Sequence, residues 1–312
     1  MRIVVAYRSI PGAPGWATGD SMVRAFRRLG HEVWPYAKVY QRDEWIVPGC
    51  QWVTADKWED ARPTGFTPGS VDLLLRMECG DDETQYPELA ALDCPKVYWT
   101  VDVARYPERE RGIVERLGAV PPLVLTGNAQ HLVWKGGKRF VRAAGRDFSG
   151  GYLPYAVDPD HFYPLEQDFH PHDARGGAAI VGSAFPERAE FAGRAGLSLI
   201  SDCYHDEYAC QLRRLKIHVH HHASGGQGLL VMRPWETMGS GTLLLTEEDE
   251  THKLHPDIPW LTYSNADDCR SKVEHLLVHE TTRQKTAELQ HRAVMKNHTY
   301  LHRAQSILEM VQ

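Results

Sequence analysis

Residues 224–246 read SGGQGLLVMRPWETMGSGTLLLT, which is a glycine-rich loop, a short helix and an apolar strand. A loop that feeds a helix leaves unpaired backbone N–H groups at the positive end of the helix dipole, where a phosphate or diphosphate binds. Pro234 is tolerated only in the first turn of a helix, so the helix starts close to it and Glu236 lies about one turn in. The stretch therefore predicts one loop–helix–strand unit of an α/β fold with an anion site at the start of the helix.

Glu236 suggests what else this site binds. A carboxylate here would repel phosphate, but it could accept hydrogen bonds from the two hydroxyls of a ribose, as acidic residues do in dinucleotide sites. The alternative is an ordinary loop, helix and strand with Glu236 on a solvated face, since glycine-rich turns are common. Composition alone leaves both interpretations open.

The segment Arg233–Thr246 (RPWETMGSGTLLLT) resembles the donor-site signature of GT-B glycosyltransferases. It is most similar to the spore-maturation-type branch (glycosyltransferase family 1/4-like), in which an Arg-x-x-Glu helix precedes a small-residue turn and an apolar strand. Three more segments resemble that branch: the connection LPYAVDPDHFYP at 153–164, the turn GSAFPER at 182–188 and the ending HTYLHRA at 298–304. The resemblance covers about residues 150–312.

The resemblance implies two Rossmann-like domains that face each other across a cleft, with a C-terminal helix that returns to the first domain. We predict an acceptor-side domain at 1–158, a nucleotide-sugar-binding domain at 159–295 and the returning helix at 296–312. The implied enzyme is a hexosyltransferase-type glycosyltransferase. It would move a sugar from a nucleoside-diphosphate sugar, with UDP-sugar as the expected donor, to a hydroxyl acceptor.

The N-terminal half independently predicts a doubly wound α/β domain. An apolar strand at Ile3–Tyr7 leads into a glycine- and proline-rich loop, an amphipathic helix at Ser21–Leu29 and a second strand. Two later apolar runs end at Glu78 and Asp102. Ligands of such sheets lie beyond the carboxyl ends of the strands, although a carboxylate there also commonly caps the next segment.

The candidate site residues fall into three groups. The donor-binding candidates implied by the resemblance and by the glycine loop are Gly182, Ser183, Arg188, His222, Gly225, Gly226, Gly228, Arg233 and Glu236. The candidates for the catalytic base of an inverting reaction are Asp102, Glu78 and Asp20. The acceptor-binding candidates are Trp16, Lys138, Arg139 and Arg142. The last three belong to the run KGGKRFVRAAGR at 135–146, which holds five cations and no acid and which more commonly forms a solvated face.

Three histidines on one face of the predicted strand Lys216–His222 raise the question of a metal. Residues two apart on a strand diverge, and no carboxylate recurs at ligand spacing, so we name no metal ligand. The helix terminus and the arginines would neutralise the leaving diphosphate, so we expect metal-independent transfer with no cofactor beyond the sugar donor. We place His222 beside the glycine loop.

Size and composition exclude several classes. The chain has 312 residues, enough for two domains, and no apolar run approaches the ~20 residues of a membrane span. Its six cysteines form no Cys-x-x-Cys pair and no signal peptide precedes the first strand, so we expect a reduced, cytoplasmic protein. The net charge of −6 argues against a generic nucleic-acid coat, but not against a local basic surface.

Several alternatives remain open. The acceptor could be a hydroxymethylated base in phage-type DNA, or the protein could be a sugar-nucleotide epimerase of the same plan or a non-catalytic polyanion-binding protein. Many retaining GT-B enzymes carry a second glutamate eight residues before the one at the ribose, and Gly228 occupies that position here. The sequence therefore does not decide between inversion and retention. It also does not identify the acceptor, the sugar, the nucleotide or the oligomeric state.

Overall fold

The computed structural model describes residues 1–8, 16–38, 66–77, 89, 92–100, 123–127, 131–135, 137–143, 146–165, 176–222 and 231–312. The chain divides into two compact units. Unit 1 comprises Met1–Pro154 and Tyr300–Gln312, and unit 2 comprises Tyr155–Thr299. The chain thus passes between the units at 154/155 and 299/300, whereas the sequence predicted 158/159 and 295/296.

Unit 1 is built on an eight-stranded sheet with the order β2-β1-β3-β4-β5-β8-β7-β6. Its strands are β1 Arg2–Arg8, β2 Glu32–Lys38, β3 Leu73–Met77, β4 Lys96–Thr100, β5 Leu123–Thr126, β6 Leu132–Lys135, β7 Lys138–Ala143 and β8 Arg146–Tyr152. In this order, the first six strands, β2, β1, β3, β4, β5 and β8, pair in parallel. The last three, β8, β7 and β6, form an antiparallel meander. The leucines of β3 are fully buried, as expected for a parallel strand covered on both faces.

Two helices of unit 1 pack against each other, α1 (Thr18–Arg28) and α7 (Tyr300–Val311). Helix α1 starts earlier than predicted because the Asp20 carboxylate accepts a hydrogen bond from the backbone N–H of Ala17 at 3.1 Å and so caps the first turn. Gly19 allows α1 to lie directly on β1, since a Cβ there would be only 2.0 Å from the ring of Tyr7. The last helix of the chain therefore belongs to the first unit, as predicted.

Unit 2 is built on a five-stranded, fully parallel sheet with the order β10-β9-β11-β12-β13. Its strands are β9 Gly176–Val181, β10 Ser198–Ile200, β11 Leu215–His220, β12 Leu243–Glu247 and β13 Thr262–Tyr263. Its helices are α2 Pro186–Ala195, α3 His205–Arg214, α4 Met232–Gly239, α5 Ala266–Val278 and α6 Glu280–Asn297. Alternating strands and helices confirm the predicted Rossmann-like plan.

The Gly-Ser-Gly stop after α4 has a packing reason. A Cβ at Gly239 would be 2.4 Å from the Val157 side chain, so α4 can end here only with a residue that lacks one. Gly241 has a φ of +68°, in the left-handed region that glycine adopts without strain. These two glycines turn the chain sharply from α4 into the buried strand β12. Among the described helices, none is both long and apolar enough to cross a membrane.

Candidate functional site

The candidate site of unit 2 lies at the carboxyl ends of β9 and β11, beside the first turn of α4. Strand β9 ends at Val181 and is followed by Gly182, whose φ is +152°. A Cβ at Gly182 would be 3.2 Å from Nη1 of Arg188 and 3.3 Å from Cζ of Arg233. Two guanidinium groups from different helices, α2 and α4, therefore converge on the same glycine.

Arg188 is held firmly by backbone carbonyl groups. Its Nη1 donates to the carbonyl of Ser183 at 2.6 Å, and its Nε and Nη2 donate to the carbonyl of His221 at 3.2 and 3.1 Å. Only 3% of the residue is exposed. Burial, and secondarily the charge of Arg233, lower the pKa of Arg188. Two repelling cations at a sheet edge form a site that an anion would stabilise.

The charge of this pair is only partly compensated by described acidic groups. Glu247, at the end of β12, lies near Arg188, but its Oε2 accepts from Nδ1 of His221 at 2.6 Å and from the backbone N–H of His222 at 3.1 Å. Among the described residues, no carboxylate lies within ion-pair distance of the Arg233 guanidinium. The pair can therefore accept an external anion such as a diphosphate.

Glu236 lies one turn after Arg233 on the same helix and is half-buried. Burial raises the pKa of Glu236 to about 7, against the opposing effects of Arg233 and of the Tyr208 hydroxyl. Burial, followed by the charge of Glu236, likewise raises the pKa of Tyr208 well above its usual value. The two groups interact electrostatically, yet the buried Tyr208 hydroxyl makes no hydrogen bond of normal geometry within the described part of the chain.

Three histidines on β11 or just after it, His218, His220 and His222, are buried beside this site. His218 Nδ1 is 2.6 Å from Oγ1 of Thr237, which joins β11 to α4. Burial, and then the charge of Arg233, lower the pKa of His218 to about 3. Burial lowers the pKa of His220 well below its usual value and also lowers that of His222. All three rings are therefore neutral near pH 7.

Six of the nine predicted donor-binding residues are described, and they cluster at one edge of the sheet. Gly182, Ser183 and Arg188 follow β9, His222 follows β11, and Arg233 and Glu236 stand on α4. The remaining three, Gly225, Gly226 and Gly228, lie outside the described residues. So do Glu78 and Asp102, two of the three candidate bases.

The structure describes the remaining candidates of unit 1, and two of them, Asp20 and Arg142, are engaged by neighbouring residues. Asp20 accepts from the Tyr7 hydroxyl at 2.5 Å as well as capping α1, so both carboxylate oxygens are engaged. Trp16 is half-buried just before α1, and Lys138 is exposed on β7 beside Arg139. Arg142, also exposed on β7, donates to both carboxylate oxygens of Asp147 at 2.8 and 3.3 Å. Asp147, one residue beyond the basic run, also pairs with Lys135.

Several residues of the site were not predicted from the sequence. His221 stacks on Phe191 with ring centroids 4.0 Å apart, and its Nδ1 lies 3.1 Å from the Tyr263 hydroxyl. Glu247 carries a usable signal, because it ends an apolar strand just as Glu78 does. Tyr208 and Phe191 carry none, because only their packing in three dimensions brings them to the site.

Comparison with known proteins supports the fold. Residues 169–309 match the family model described as glycosyl transferase-like. A search of curated proteins finds no match. Among solved structures, the fold is similar to sucrose-phosphate synthase from Thermosynechococcus elongatus, with a TM-score of 0.61 and 11% identity over 99% of this chain and 98% of that one.

Two structures with bound UDP share the fold as well. T4 phage BGT in complex with UDP and Mn2+ has a TM-score of 0.61 and 12% identity, over 100% of this chain and 99% of that one. An alpha-glucosyltransferase in complex with UDP and a 13-mer DNA has a TM-score of 0.62 and 10% identity, over the same shares. The chain therefore has the GT-B fold and carries a glycosyltransferase-like domain over residues 169–309, which include most of unit 2 and most of α7.

Proposed function

From a GT-B chain with a glycosyltransferase-like domain, we propose that this protein transfers a sugar from a nucleoside-diphosphate sugar to a hydroxyl acceptor. The observation that carries the proposal is the convergence of Arg188 and Arg233 on Gly182. In sugar transfer the acceptor oxygen bonds to the anomeric carbon while the bond from that carbon to the diphosphate oxygen breaks. The pair would bind the diphosphate and stabilise the negative charge that grows on it as the leaving group.

Glu236 is proposed to hold the ribose of the donor. Ser183 and the loop residues Gly225, Gly226 and Gly228 would add backbone contacts to the phosphates, and His222 lies at the same edge. Ribose hydroxyls are donors to a carboxylate, so Glu236 must be ionised to accept both, and its raised pKa is compatible with this only near and above pH 7. The complexes with UDP among the similar structures support uridine as the nucleoside of the donor.

The guanidinium pair supplies fixed positive charge, which supports our proposal that transfer needs no metal ion. An inverting reaction requires a base for the acceptor proton, and we keep Asp102 first, with Glu78 second. Asp20 is the weakest of the three because α1 and Tyr7 already engage both of its oxygens. A retaining reaction requires no base from unit 1.

The alternatives are less well supported. A glycosyltransferase-like match favours transfer over epimerisation or non-catalytic polyanion binding. A modified DNA base remains a specific acceptor proposal, since one similar structure contains DNA. Within the described residues, the cysteines are free thiols, which is consistent with the proposed cytoplasmic location: Cys94, Cys203, Cys210 and Cys269.

The decisive variant is Glu236→Ala. Loss of two charge-assisted hydrogen bonds to ribose should weaken UDP binding by on the order of 3 kcal/mol, which is roughly a hundredfold in Kd. Calorimetry with UDP at pH 8 measures this, and urea unfolding checks that the fold survives. The matched control is Glu274→Ala, which removes an exposed carboxylate from α5. If both variants bound UDP as tightly as the parent protein, Glu236 would not be part of the site.

A further inference from the structure

His255, Asp257 and His298 bring three potential metal ligands together, away from the arginine pair. One ligand atom from each lies within 4.8 Å of the other two, and no second such group of three occurs in the parts of the chain that the structure describes. Nε2 of His298 is 2.9 Å from Oδ2 of Asp257. These residues come from the segment after the 3-10 helix at Glu250–Leu254 and from the end of α6.

The backbone segments that carry the two imidazoles are held by hydrogen bonds. The N–H of His255 donates to the carbonyl of His252 at 3.0 Å, and its carbonyl accepts from Nε1 of Trp260 at 3.0 Å. The N–H of His298 donates to the carbonyl of Val294 at 2.7 Å, and its carbonyl accepts from the N–H of Val157 at 3.0 Å. A ligand set held in this way loses little further freedom when an ion binds.

The surroundings suit a partly dry site with access from one side. The indole of Trp235 stacks on His298 at 4.7 Å and meets His255 edge-on at 5.1 Å. Both histidines are buried, while 37% of the Asp257 side chain is exposed. The carboxylate therefore offers the side from which a hydrated ion can approach. Nδ2 of Asn297 donates to Oδ2 of Asp257 at 2.8 Å and orients the carboxylate, as outer groups do at metal sites.

We propose that His255, Asp257 and His298 bind a zinc ion, with water as the fourth ligand. Two imidazoles and a carboxylate are a ligand set that zinc accepts, at about 2.0–2.2 Å in tetrahedral geometry, which places ligand atoms about 3.3–3.5 Å apart. The 2.9 Å pair reaches this spacing when it opens slightly, and the other two distances are at most 4.8 Å. Binding through Nε2 of His298 requires that this nitrogen gives up the proton it shares with Asp257, to Nδ1 if the ring is neutral or to solvent if the ring is charged.

The ion would have a structural role. It would tie the segment around His255 to the end of α6 and fix Trp235, which precedes Glu236 on α4. Zinc should therefore raise the melting temperature of unit 2, whereas the Arg188–Arg233 pair needs no ion. This inference does not depend on the proposed function, and its failure would leave that function untouched.

The test uses the full chain after treatment with chelator and removal of the chelator. We expect one zinc ion per chain by calorimetry and a melting temperature that rises by several degrees with zinc. Cobalt added in place of zinc should give the intense visible absorption of a four-coordinate site. Asp257→Asn keeps the shape and a hydrogen bond to His298, and should weaken zinc binding at least tenfold.

Two controls make the outcome decisive. His275 and His279 stack at 4.0 Å on the exposed end of α5 and could chelate zinc adventitiously, so the variant with both changed to Gln should keep the full response. His255→Gln provides a second test if Asp257→Asn does not fold. The proposal is overturned if zinc changes neither heat nor melting temperature, if Asp257→Asn and His255→Gln respond as the parent does, or if the His275/His279 variant loses the response.

Discussion

At the scale of residues, Arg188 and Arg233 have different roles, although both guanidinium groups lie beside Gly182. The Arg188 guanidinium donates hydrogen bonds to the carbonyls of Ser183 and His221, and so joins the loop after β9 to the end of β11. The Arg233 guanidinium has no such described partner and is held near a like charge. We infer that Arg188 shapes the site and contributes charge, whereas Arg233 contributes charge alone.

Substituting each arginine in turn should separate its effect on UDP binding from its effect on stability. Arg233→Gln should weaken UDP binding roughly tenfold to a hundredfold but leave the free energy of unfolding unchanged or slightly higher, since repulsion is relieved. Arg188→Gln should weaken binding and also lower the free energy of unfolding by about 1–3 kcal/mol, because buried carbonyls lose donors. Calorimetry and urea unfolding measure the two effects, with exposed Arg292→Gln as control. Equal stability losses in both site variants would contradict the division.

The arginines and Glu236 were predictable because a short local motif carries them. Glu247 obeys the same strand-end rule as Glu78, but it also begins the acidic run EEDE at 247–250, and the sequence does not distinguish a strand-end carboxylate from the first residue of an acidic surface loop. Tyr208 and Phe191 could not have been found, because aromatic residues on amphipathic helices are ordinary core residues until their neighbours are known. Asp20 shows the converse: its position predicted a base, while its contacts are those of a helix cap.

At the scale of elements, β11 shows that the position of a strand in its sheet, and not the alternation of its sequence, decides whether its polar side chains are buried. The alternation in Lys216–His222 resembles a half-buried strand whose histidines face out, yet His218 is 0% and His220 3% exposed. A central strand of a parallel sheet is covered on both faces, so its polar side chains are buried too. Thr237 of α4 satisfies one nitrogen of His218, and the ring remains neutral.

This burial makes stability depend on pH. Because the pKa of His218 falls from 6.5 when unfolded to about 3 when folded, the unfolded chain binds more protons, and stability is lost as pH drops below about 6.5. His218 alone contributes up to about 1.4 kcal/mol per pH unit. Glu236, whose folded pKa of about 7 lies above the unfolded 4.5, acts in the opposite direction over pH 7 to 4.5.

His218→Gln should therefore flatten the pH dependence of the free energy of unfolding between pH 6.5 and 4.5, because the amide can still bond Thr237 but cannot take up a proton. Urea unfolding at four or five pH values across this interval measures the slope. His275→Gln, on the exposed face of α5, should leave the slope unchanged. A slope in His218→Gln identical to that of the parent protein would show that this ring is not the source.

The antiparallel meander of unit 1 was not predicted, because the cationic residues of its sequence indicate a basic surface and not a hairpin. The run 135–146 holds the cations that predict a basic surface and also a hairpin signal, the Gly-Gly pair between Lys135 and Lys138. Gly137 has a φ of +76°, as a tight hairpin turn requires. The parallel strands were easier to predict because their apolar runs are continuous.

At the scale of the whole molecule, the net charge of −6 sets a test for the acceptor. Any DNA acceptor must be held by a local basic surface, and Asp147 already neutralises part of the one on β7. The triple variant Lys138→Ala, Arg139→Ala, Arg142→Ala should leave UDP affinity unchanged, because its residues belong to unit 1. A DNA acceptor would be bound more weakly, with a salt slope lower by about two to three.

Fluorescence anisotropy with a labelled duplex, across a salt series, gives this slope. The matched control removes the same charge from exposed positions on α6 of unit 2: Lys285→Ala, Arg292→Ala and Lys296→Ala. A loss of DNA binding in both triple variants would reflect overall charge. No binding by the parent protein would exclude the β7 surface as a DNA site and leave the transferase proposal with a small acceptor.

Unit 1 is discontinuous in sequence, and this fixes an order of completion during synthesis. Every residue of unit 2 leaves the ribosome before Tyr300, so unit 2 can bury its core while the chain is still growing. Unit 1 begins first yet finishes last, because α1 acquires its partner only when α7 is released. Between these moments α1 can already pack on β1 and β2, but the surface that α7 will contact stays exposed, so the nascent N-terminal half offers a chaperone a place to bind.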